Sequence, residues 1–525
     1  MLLQHFLENS ARRLPDKTAL IFGQQRLTYG EINEKANRLA HFLRKNGITR
    51  QDRVAIFMDN SPAAVVSIFA VLKADAVFLV LNPTMKAAKL AFIFEDCGVK
   101  ALVTHASKES IVAQALSSSP TIQTVLWTGI DDEIPESPSA SASFHRLDDA
   151  LLQSDGALAP PSSNIDLDLA AIIYTSGSTG DPKGIMLTHL NMTSAADSIT
   201  TYLENVEEDI IIDMLPLSFD YGLYQVLMAA KFGGTVVLER SFTYPYQVIQ
   251  RMIDEKVTGF PGVPTIFAIL LGLKDLDKVD FSNLRYITNT AAALPPAYIE
   301  KLRQALPHVR VYSMYGLTEC KRVSYLPPEE IDRRPGSVGR GMPNEEVWIV
   351  DELGRKQPPG EVGEVVVRGS NVMRGYWNRP EETARSLRPG KYPGEMVLYT
   401  GDLFRMDDEG FLYFVGRKDD MIKSRGERIS PREIEDCLCA MEGVAEAAVI
   451  GIDQEILGQA IVACVRCRDG RKLSAKEIQR HCRANLEEYM IPHSVEFVEV
   501  FPKTSTGKID KLTLKAGHTF PQTRD

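Results

Sequence analysis

Short apolar runs alternate with amphipathic segments through most of the first four hundred residues, and this alternation strongly constrains the fold. Clear examples of the strand-like runs are residues 53–58, 101–104, 210–214, 234–238 and 309–312. Parallel strands need crossover connections that are usually helical, so alternating strands and helices are typical of α/β layers. The pattern therefore predicts an α/β fold with largely parallel sheets.

A second pattern begins near residue 419. The predicted elements of this part are a helix at 431–440, a strand at 445–452, a helix at 474–485 and a strand at 495–500. The chain has 525 residues, which is too long for one ordinary hydrophobic core. We therefore expect two domains, 1–418 and 419–525, of which the second is a compact α+β unit.

Charge and hydropathy disfavour several classes of protein. The net charge is −10, whereas nonspecific nucleic-acid binding favours a basic surface. The longest apolar stretch, 63–81, is interrupted by Lys73 and Asp75 and predicts a buried helix followed by a strand rather than a membrane span. Residues 1–20 carry several charges and predict an amphipathic helix rather than a signal peptide. We expect a cytoplasmic protein with no nucleic-acid partner and no integral membrane segment.

Seven cysteines are scattered along the chain, and neither the odd count nor the wide spacing is typical of a disulfide framework. Cys464 and Cys467 are spaced as Cys-x-x-Cys, but they lie in the apolar run 461–467, and no second pair stands at zinc spacing. We interpret the cysteines as small buried hydrophobic residues.

One polar segment, 174–184, directly follows the apolar run 169–173 and reads Tyr-Thr-Ser-Gly-Ser-Thr-Gly-Asp-Pro-Lys-Gly. Glycine lets the backbone approach a ligand closely, and successive backbone N–H groups form a concave anion site. The hydroxyl groups add donors, and Lys183 adds a positive charge. The nucleoside-triphosphatase P-loop is excluded, because it requires Ser or Thr after its lysine and Gly184 stands here. The segment predicts a loop that binds a polyphosphate; a solvated Ser/Gly turn is the alternative.

Four further motifs follow this segment in chain order. They are Tyr-Gly-Leu-Thr-Glu at 315–319, Tyr-Thr-Gly-Asp at 399–402, the segment from Gly-Arg-Lys-Asp-Asp to Gly-Glu-Arg-Ile at 416–429, and Pro-Lys-Thr with Gly-Lys-Ile at 502–509. Together the five motifs resemble those of the AMP-forming adenylate ligases, a superfamily of acyl-CoA synthetases, peptide-synthetase adenylation domains and beetle luciferases. The resemblance covers nearly the whole chain, and residues 215–225 and 316–327 are most similar in style to bacterial acyl-CoA ligases.

The resemblance implies a large multi-sheet N-terminal domain, a small mobile α+β C-terminal domain and a reaction in two steps. In the first step a carboxylate attacks the α-phosphorus of ATP and gives an acyl-adenylate and pyrophosphate. In the second step a thiol attacks the adenylate and releases AMP. The implied cofactors are ATP, Mg²⁺ and a thiol, either coenzyme A or the phosphopantetheine of a separate acyl or peptidyl carrier protein. The implied substrate is a small-molecule carboxylic acid.

The resemblance also implies roles around the nucleotide. Thr318 would bind the α-phosphate, Glu319 would hold Mg²⁺, and Asp402 would accept hydrogen bonds from the ribose hydroxyls. The remaining implied nucleotide-binding residues are Thr175, Ser176, Gly177, Ser178, Thr179, Gly180, Lys183, Tyr315 and Arg417. Outside these motifs, Glu319 would be an ordinary surface acid and Asp402 a turn residue beside Gly401.

Catalysis in the family uses two faces of the small domain. The resemblance places Lys508 beside the reacting carboxylate, where its ammonium would stabilise developing charge during adenylation. It places a hinge at Asp419, about which the small domain turns to present the segment of Lys423 for thioester formation. Lys503 and Lys511 show how common lysines are in this region, so only the motif singles out Lys508.

The predicted acid-binding residues depart from the family pattern. Residues 216–222 read Pro-Leu-Ser-Phe-Asp-Tyr-Gly and lack the histidine that many acyl-CoA synthetases carry. The Phe-Asp pair instead resembles amino-acid-activating domains, in which the aspartate pairs with the α-amino group of the substrate. A buried Asp220 needs a partner, which could be a substrate ammonium, Lys321 or Arg322. The predicted pocket residues are Phe219, Asp220, Gly262, Asn289 and Arg322.

Two neighbouring segments bear on the same pocket. Residues 261–265 resemble the acyl-CoA synthetase version of their motif, which conflicts with the Phe-Asp pair. Residues 287–292 replace the family's Gly-Gly-Ala beside the adenine with Ile-Thr-Asn-Thr-Ala-Ala, and their small side chains still permit a flat base to stack.

The leading hypothesis from the sequence is a stand-alone AMP-forming ligase that converts a carboxylic acid to its acyl-CoA. The closest alternative is a free-standing amino-acid adenylation enzyme that loads a carrier protein. We expect that carrier to be a separate protein, because the sequence shows no carrier domain after Lys508. A nucleotide-binding pseudo-enzyme or scaffold is a third hypothesis, which the full set of polar motif residues disfavours. A luciferase-like oxygenase belongs to the same family, but no residue pattern here indicates one.

Overall fold

The computed structural model of the protein describes eleven segments of the chain. They are residues 1–130, 142–153, 156–176, 182–273, 276–290, 294–418, 420–424, 427–454, 458–468, 470–504 and 507–517. Among the helices in these segments, none has the length and the apolar character that crossing a bilayer requires.

Fifteen α-helices lie within the described residues. They are α1 His5–Arg13, α2 Tyr29–Lys45, α3 Pro62–Lys73, α4 Ala87–Cys97, α5 Glu109–Leu116, α6 Leu147–Leu152, α7 His189–Tyr202, α8 Asp220–Phe232, α9 Pro245–Asp254, α10 Pro264–Gly272, α11 Pro296–Ala305, α12 Pro380–Ser386, α13 Pro431–Ala440, α14 Ala475–Asn485 and α15 Lys511–Ala516.

Twenty-seven strands lie in the same described segments. They are β1 Thr18–Phe22, β2 Gln25–Thr28, β3 Arg53–Phe57, β4 Val77–Val80, β5 Val99–His105, β6 Thr124–Thr128, β7 Ser143–Arg146, β8 Leu169–Ser176, β9 Pro182–Thr188, β10 Ile210–Asp213, β11 Thr235–Leu238, β12 Gly259–Gly262, β13 Tyr286–Asn289, β14 Arg310–Tyr315, β15 Ser324–Tyr325, β16 Ser337–Gly341, β17 Glu345–Val350, β18 Val362–Gly369, β19 Gly375–Tyr376, β20 Leu387–Pro389, β21 Met396–Met406, β22 Leu412–Arg417, β23 Ile422–Ser424, β24 Glu427–Ile429, β25 Val444–Gln454, β26 Gly458–Cys467 and β27 Ser494–Phe497.

Local signals set several helix boundaries. Helices α2, α7 and α14 begin with capping boxes, in which Thr28, Thr188 and Ser474 accept a hydrogen bond from the backbone N–H three residues on. Helix α4 stops before Gly98 and α8 before Gly233, both of which have a positive φ that glycine adopts at little cost. The short loop before α8 places a carboxylate at the first residue of that helix.

The largest sheet has fourteen strands in the described residues, in the order β17-β18-β21-β22-β16-β15-β14-β13-β12-β10-β11-β1-β2, with β20 beside β21. The strands from β14 to β1 in this order are parallel, and antiparallel pairing begins between β14 and β15. Ligands of open parallel sheets bind outside the carboxyl ends of the strands. Strands β12, β13 and β14 end at Gly262, Asn289 and Tyr315, so the fold brings three predicted site residues to one edge.

A second sheet carries the predicted phosphate segment. Its order is β19-β9-β8-β4-β3-β5-β6-β7. Strands β4, β3, β5, β6, β7 and β8 are parallel, whereas β9 turns back against β8 and pairs with β19. The β19–β9 pairing joins this sheet to the segment around residue 376, which contributes to the site below.

The third sheet is small and lies in the C-terminal part, in the order β24-β23-β26-β25 with β27 beside β26. In β25 the side chains of Ala447 and Val449 pack with α13 and α14, while those of Ala448 and Ile450 pack with Leu514 of α15. Successive side chains of a strand point to opposite faces, so this alternation buries both faces of the sheet. The result is the expected combination of a large multi-sheet part and a smaller α+β part.

Most predicted elements are confirmed, and two need correction. The N-terminal helix ends at Arg13, well before residue 20, because Pro15 disfavours helical backbone at Leu14 and β1 begins soon after. The last predicted strand, 495–500, stops at Phe497, where its pairing with β26 ends. All seven cysteines are unbridged and five of them are buried, as the sequence predicted.

Candidate active site

The predicted ribose-binding residues meet at the end of β14. Tyr315 donates a hydrogen bond from its hydroxyl to Asp402 Oδ2 at 2.6 Å. Arg417 faces Asp402 across the β21–β22 pair, with its Nε 3.5 Å from Asp402 Oδ1. Burial raises the pKa of Asp402, and Arg417 and Tyr315 oppose that rise. These contacts use part of the acceptor capacity of a carboxylate, so Asp402 can still accept from hydroxyl groups of a ligand.

Glu319 is held by an aromatic residue that the sequence reasoning missed. Tyr376 donates from its hydroxyl to Glu319 Oε1 at 2.8 Å. Burial raises the pKa of Glu319, and the Tyr376 hydroxyl opposes that rise. Lys183 Nζ lies 5.8 Å from the centre of the Tyr376 ring, so Tyr376 links the predicted metal ligand with the predicted phosphate lysine. The Gly-Tyr-Trp run at 375–377 is the sequence signal that could have indicated it.

The predicted phosphate-binding loop is shorter than expected. Strand β8 continues through Ser176, and β9 begins at Pro182, with Thr175 paired to Lys183. We expected a loop from Tyr174 onward, but the aromatic and β-branched residues there favour a strand, and the antiparallel partner extends it. Outside the described residues lie Gly177, Ser178, Thr179 and Gly180. The segment is therefore the end of a β-hairpin.

A second tyrosine anchors this hairpin. The hydroxyl of Tyr174 donates to Asp96 Oδ2, and Cys97 Sγ lies 3.1 Å from the same hydroxyl. Arg379 Nη1 lies 3.5 Å from Asp96 Oδ1 and completes the cluster. Sequence reasoning did not identify Asp96, because it lies far from Tyr174 in the chain.

Lys508 lies where the predicted nucleotide and acid residues approach each other. Its loop contacts helix α10, since Thr265 Oγ1 donates to the Gly507 carbonyl at 3.2 Å. The Lys508 side chain remains accessible to solvent, yet the surrounding protein atoms lower its pKa, and three carboxylates oppose that shift. The three carboxylates are those of Asp402, Asp220 and Glu319. Residues from the predicted nucleotide site and from the predicted acid pocket therefore both act on the pKa of this lysine.

The remaining predicted catalytic and hinge residues are less fully described. Thr318 lies in the loop after β14, directly before Glu319. Lys423 belongs to β23, where its backbone pairs with that of Arg428. Asp419 lies outside the described residues. The roles of Asp419 as a hinge and of Lys423 in thioester formation stay predictions.

Asp220 has a partner within the protein. Lys321 Nζ donates to the Asp220 carbonyl at 2.8 Å and lies 3.5 Å from Asp220 Oδ2. Both side chains are buried, and Lys321 Nζ also lies 4.4 Å from the centre of the Tyr224 ring. Burial lowers the pKa of Lys321 to about 7, and Asp220 opposes that shift. Of the three partners that we expected for Asp220, the structure selects Lys321, so no substrate ammonium is required.

The other predicted pocket residues lie at or beside the ends of β12, β13 and β14 and the start of α8. Phe219 directly precedes α8 and is half-buried, and Asn289 ends β13 with no exposed surface. Gly262 ends β12, where an added Cβ would lie 2.6 Å from the ring of Phe267. Only glycine fits that position without a shift of the aromatic ring. Arg322 follows Lys321 in the loop after β14 and is buried.

A magnesium site would depend on the nucleotide. Within the described segments, no group of three or more His, Cys, Asp or Glu side chains is arranged to hold a metal ion. Mg²⁺ often takes one or two protein carboxylates together with phosphate oxygens of the substrate. The Glu319 carboxylate fits such an ion, because it lies beside Tyr376 and near the predicted phosphate lysine.

Comparison with known proteins identifies the family. The AMP-binding enzyme family model matches residues 7–377, and the model of the AMP-binding enzyme C-terminal domain matches residues 433–508. A long-chain-fatty-acid–CoA ligase of Bacillus subtilis is 32% identical over 97% of this chain and 93% of its own length. Tyrocidine synthase 3 of Brevibacillus parabrevis is 31% identical over 98% of this chain, which is 8% of that longer protein.

A solved structure gives the same result. The crystal structure of the anthranilate CoA ligase AuaEII in complex with anthranoyl-AMP has a TM-score of 0.89 and 26% sequence identity. The similarity covers 98% of this chain and 97% of that chain. The chain belongs to the AMP-binding enzyme family, whose two models together cover most of its sequence. Within that family it is an AMP-forming acid–thiol ligase of the acyl-CoA synthetase type.

Proposed function

We propose that the protein activates a small-molecule carboxylic acid with ATP and transfers the acyl group to coenzyme A. The observation that carries the proposal is the position of the Lys508 loop, in which the Gly507 carbonyl accepts a hydrogen bond from Thr265 of α10. Asp402 and Asp220 are both near enough to oppose the lowering of the pKa of Lys508. A carboxylate and a triphosphate repel each other, so their reaction needs a cation between them and strict positioning.

The nucleotide would be held from two directions. Asp402 would accept hydrogen bonds from the ribose hydroxyls, with Tyr315 and Arg417 setting the orientation of its carboxylate. The β8–β9 hairpin would bind the β- and γ-phosphates, with Lys183 as the cation on the leaving pyrophosphate. Thr318 would donate a hydrogen bond to the α-phosphate.

Glu319 would hold the magnesium ion that accompanies ATP. The Tyr376 hydroxyl fixes one oxygen of this carboxylate and thereby orients the other. When bound, Mg²⁺ neutralises charge on the phosphates and so assists the departure of pyrophosphate.

In the first half-reaction an oxygen of the acid attacks the α-phosphorus, and the bond from that phosphorus to pyrophosphate breaks. The ammonium of Lys508 would stabilise the negative charge that accumulates on the reacting oxygens. In the second half-reaction the thiol sulfur attacks the acyl carbon, and the bond from that carbon to the AMP oxygen breaks. A turn of the small domain about Asp419 would replace Lys508 by the segment of Lys423 between the two steps.

Coenzyme A is the acceptor that the observations favour. The relative and the solved structure that match over most of both lengths are named as CoA ligases. Lys321 is already the buried partner of Asp220, so the feature that suggested an amino-acid substrate has an internal explanation. A separate carrier protein therefore lacks a specific observation in its favour.

The test is acid-dependent turnover with two thiols. Purified protein is incubated with ATP, Mg²⁺ and a panel of aliphatic, aromatic and amino acids, and pyrophosphate exchange into ATP is measured. Thioester formation is then followed by mass spectrometry with coenzyme A and, separately, with a phosphopantetheinylated carrier protein. We expect acyl-CoA. Exchange that only amino acids stimulate, with transfer only to the carrier protein, would contradict the proposal.

A further inference from the structure

Asp96, in the last turn of α4, joins two segments of the predicted nucleotide site. Its Oδ2 accepts a hydrogen bond from the Tyr174 hydroxyl of β8, and its Oδ1 lies 3.5 Å from Arg379 Nη1. Its backbone carbonyl accepts hydrogen bonds from Trp377 Nε1 at 2.9 Å and from Asn378 Nδ2 at 3.0 Å. Each of its three acceptor oxygens therefore contacts β8 or the segment that directly follows β19.

Helix α4 alone does not explain an aspartate at this position. The helix ends at Cys97, and the partial negative charge at a helix C-terminus disfavours an acidic residue in the last turn. The Asp96 side chain is only 9% exposed, and burial of a carboxylate is unfavourable unless the group is paired. Both partners of this carboxylate lie outside the helix, so its contacts with the two segments account for the residue.

The first of these segments is the β8–β9 hairpin. Tyr174 directly precedes Thr175, whose backbone pairs with that of Lys183. The Tyr174 ring lies against the opposite strand, because a Cβ added to Gly184 would stand 3.0 Å from its Cζ atom. The hydroxyl at the end of this ring is held by Asp96. The contact therefore sets the position of the backbone that carries Thr175 and Lys183, two residues predicted to bind phosphate.

The second segment carries the residue that holds the predicted metal ligand. Tyr376, whose hydroxyl donates to Glu319, directly precedes Trp377. The Trp377 backbone N–H donates to the Gly184 carbonyl at 2.7 Å, while its indole N–H donates to the Asp96 carbonyl. Trp377 is thus held between the hairpin and α4. One aspartate of α4 therefore contacts both the hairpin and the segment that supports Glu319.

We propose that Asp96 is a positioning residue for the triphosphate of ATP. It acts through Tyr174 and Trp377 and keeps the β8–β9 hairpin at a fixed position relative to Glu319. This inference rests on the proposed function and adds to it a residue from outside the five motifs. The phosphates and their Mg²⁺ bind together, so the groups that hold them must keep their relative position, and small displacements of such groups are costly.

Two nucleotides separate this role from a general contribution to folding. ATP carries the β- and γ-phosphates that the hairpin would bind, whereas AMP has only the base, the ribose and the α-phosphate. Loss of the Asp96 contacts should therefore weaken the binding of ATP and leave the binding of AMP unchanged. A residue that only stabilises the fold would affect both nucleotides equally.

The test measures nucleotide affinity by isothermal titration calorimetry, with α,β-methylene-ATP and Mg²⁺ in one series and AMP in the other. In Asp96→Ala the Kd of the ATP analogue should rise by about 10- to 100-fold, the range for loss of a residue that orients a binding group. AMP should bind as it does to the wild type. Asp96→Asn keeps an oxygen that can accept from Tyr174 and should recover part of the affinity. In pyrophosphate exchange with the fastest acid of the panel, the KM for ATP should rise while the KM for the acid stays.

Two further variants sharpen the test. Glu95→Ala removes the exposed neighbouring acid of α4 and should leave both affinities unchanged. Tyr174→Phe removes only the partner hydroxyl and keeps the ring, so it reports on the contact even where Asp96→Ala lowers stability. Its affinity for the ATP analogue should fall by a smaller factor, because the pair of Asp96 with Arg379 remains.

The outcomes also distinguish this inference from the proposed function. Equal losses of affinity for both nucleotides, or unchanged affinity for the ATP analogue in Asp96→Ala or Tyr174→Phe, would overturn the role of Asp96 and leave the ligase function intact. If the wild type binds neither nucleotide, the proposed function itself fails, and the positioning role with it.

Discussion

On the nucleotide side of the cleft Asp402 and Glu319 are each held by a tyrosine hydroxyl, whereas on the acid side Asp220 is held by a buried lysine. Tyr315 orients Asp402, and Tyr376 orients Glu319, before any ligand is present. Lys321, by contrast, lies between Asp220 and the ring of Tyr224 as a buried cation. A preorganised side suits a ligand that is the same for every reaction of the family. On the acid side Lys321 matches the charge of Asp220, so this carboxylate requires no charge of the substrate.

The largest effect is expected where the two sides meet. Lys508→Ala should lower acid-dependent pyrophosphate exchange by about 100- to 1000-fold, because the substitution removes the cation that interacts with both sides. Thioester formation from a supplied acyl-adenylate should be nearly unchanged. Lys515→Ala, a substitution in α15, serves as the control and should exchange at the wild-type rate. Wild-type exchange by Lys508→Ala would remove this lysine from the mechanism.

A substitution on the nucleotide side should leave acid selection intact. Asp402→Asn should raise the KM for ATP by about 10- to 100-fold, because it weakens charge-assisted hydrogen bonds to the ribose. The preference between two acids should not change, since the side-chain partners of Asp402 that the structure describes, Tyr315 and Arg417, belong to the nucleotide side. Steady-state kinetics with varied ATP gives the KM, and kinetics with two acids gives the preference between them. Asp408→Asn, in the exposed turn after β21, is the control. A changed acid preference would show that the two sides are coupled.

A smaller effect is expected from the residue that orients the predicted metal ligand. Tyr376→Phe removes the hydroxyl that donates to Glu319 and should lower the rate of adenylation by about three- to tenfold. The Mg²⁺ concentration needed for half-maximal exchange should rise in parallel. Tyr392→Phe changes an exposed tyrosine and should alter neither quantity. An unchanged magnesium dependence would argue against Glu319 as the ligand.

The smallest effect concerns the pH dependence of stability on the acid side. The pKa of Lys321 is lowered to about 7 in the folded protein, below the value of about 10.4 for an unfolded chain. Between these values the unfolded chain binds more protons, so this lysine makes the protein more stable as the pH rises above 7. At lower pH both states are protonated, and the cost of burying the charge is fully present.

The measurement compares melting temperatures of the wild type and the double variant Lys321→Met/Asp220→Asn, which lacks both ends of the pair. From pH 7 to 9 the wild type should gain about 2 °C relative to the variant. A constant difference across this range would mean that Lys321 does not titrate there, and that the pair stays fully charged.

The elements and residues that the sequence predicted all follow from local patterns, either the periodicity of burial or a short motif. Strand β3 and helix α13 are readable from periodicity, because burial repeats with the period of each structure. Asp402 and Arg417 were readable from motifs, and the structure places them on facing positions of neighbouring strands. The extent of the phosphate loop was not readable, because Thr175 becomes a strand residue only through its pairing with Lys183.

The sequence by itself determined the reaction class, because the residues within each motif are neighbours in the chain. These motifs serve the nucleotide, which does not vary. Only the tertiary structure decided which charges are paired. Glu319 meets Tyr376 across 57 residues, and Asp220 meets Lys321 across 101 residues. Such pairs depend on where distant loops converge over the carboxyl ends of the strands, which no local pattern encodes.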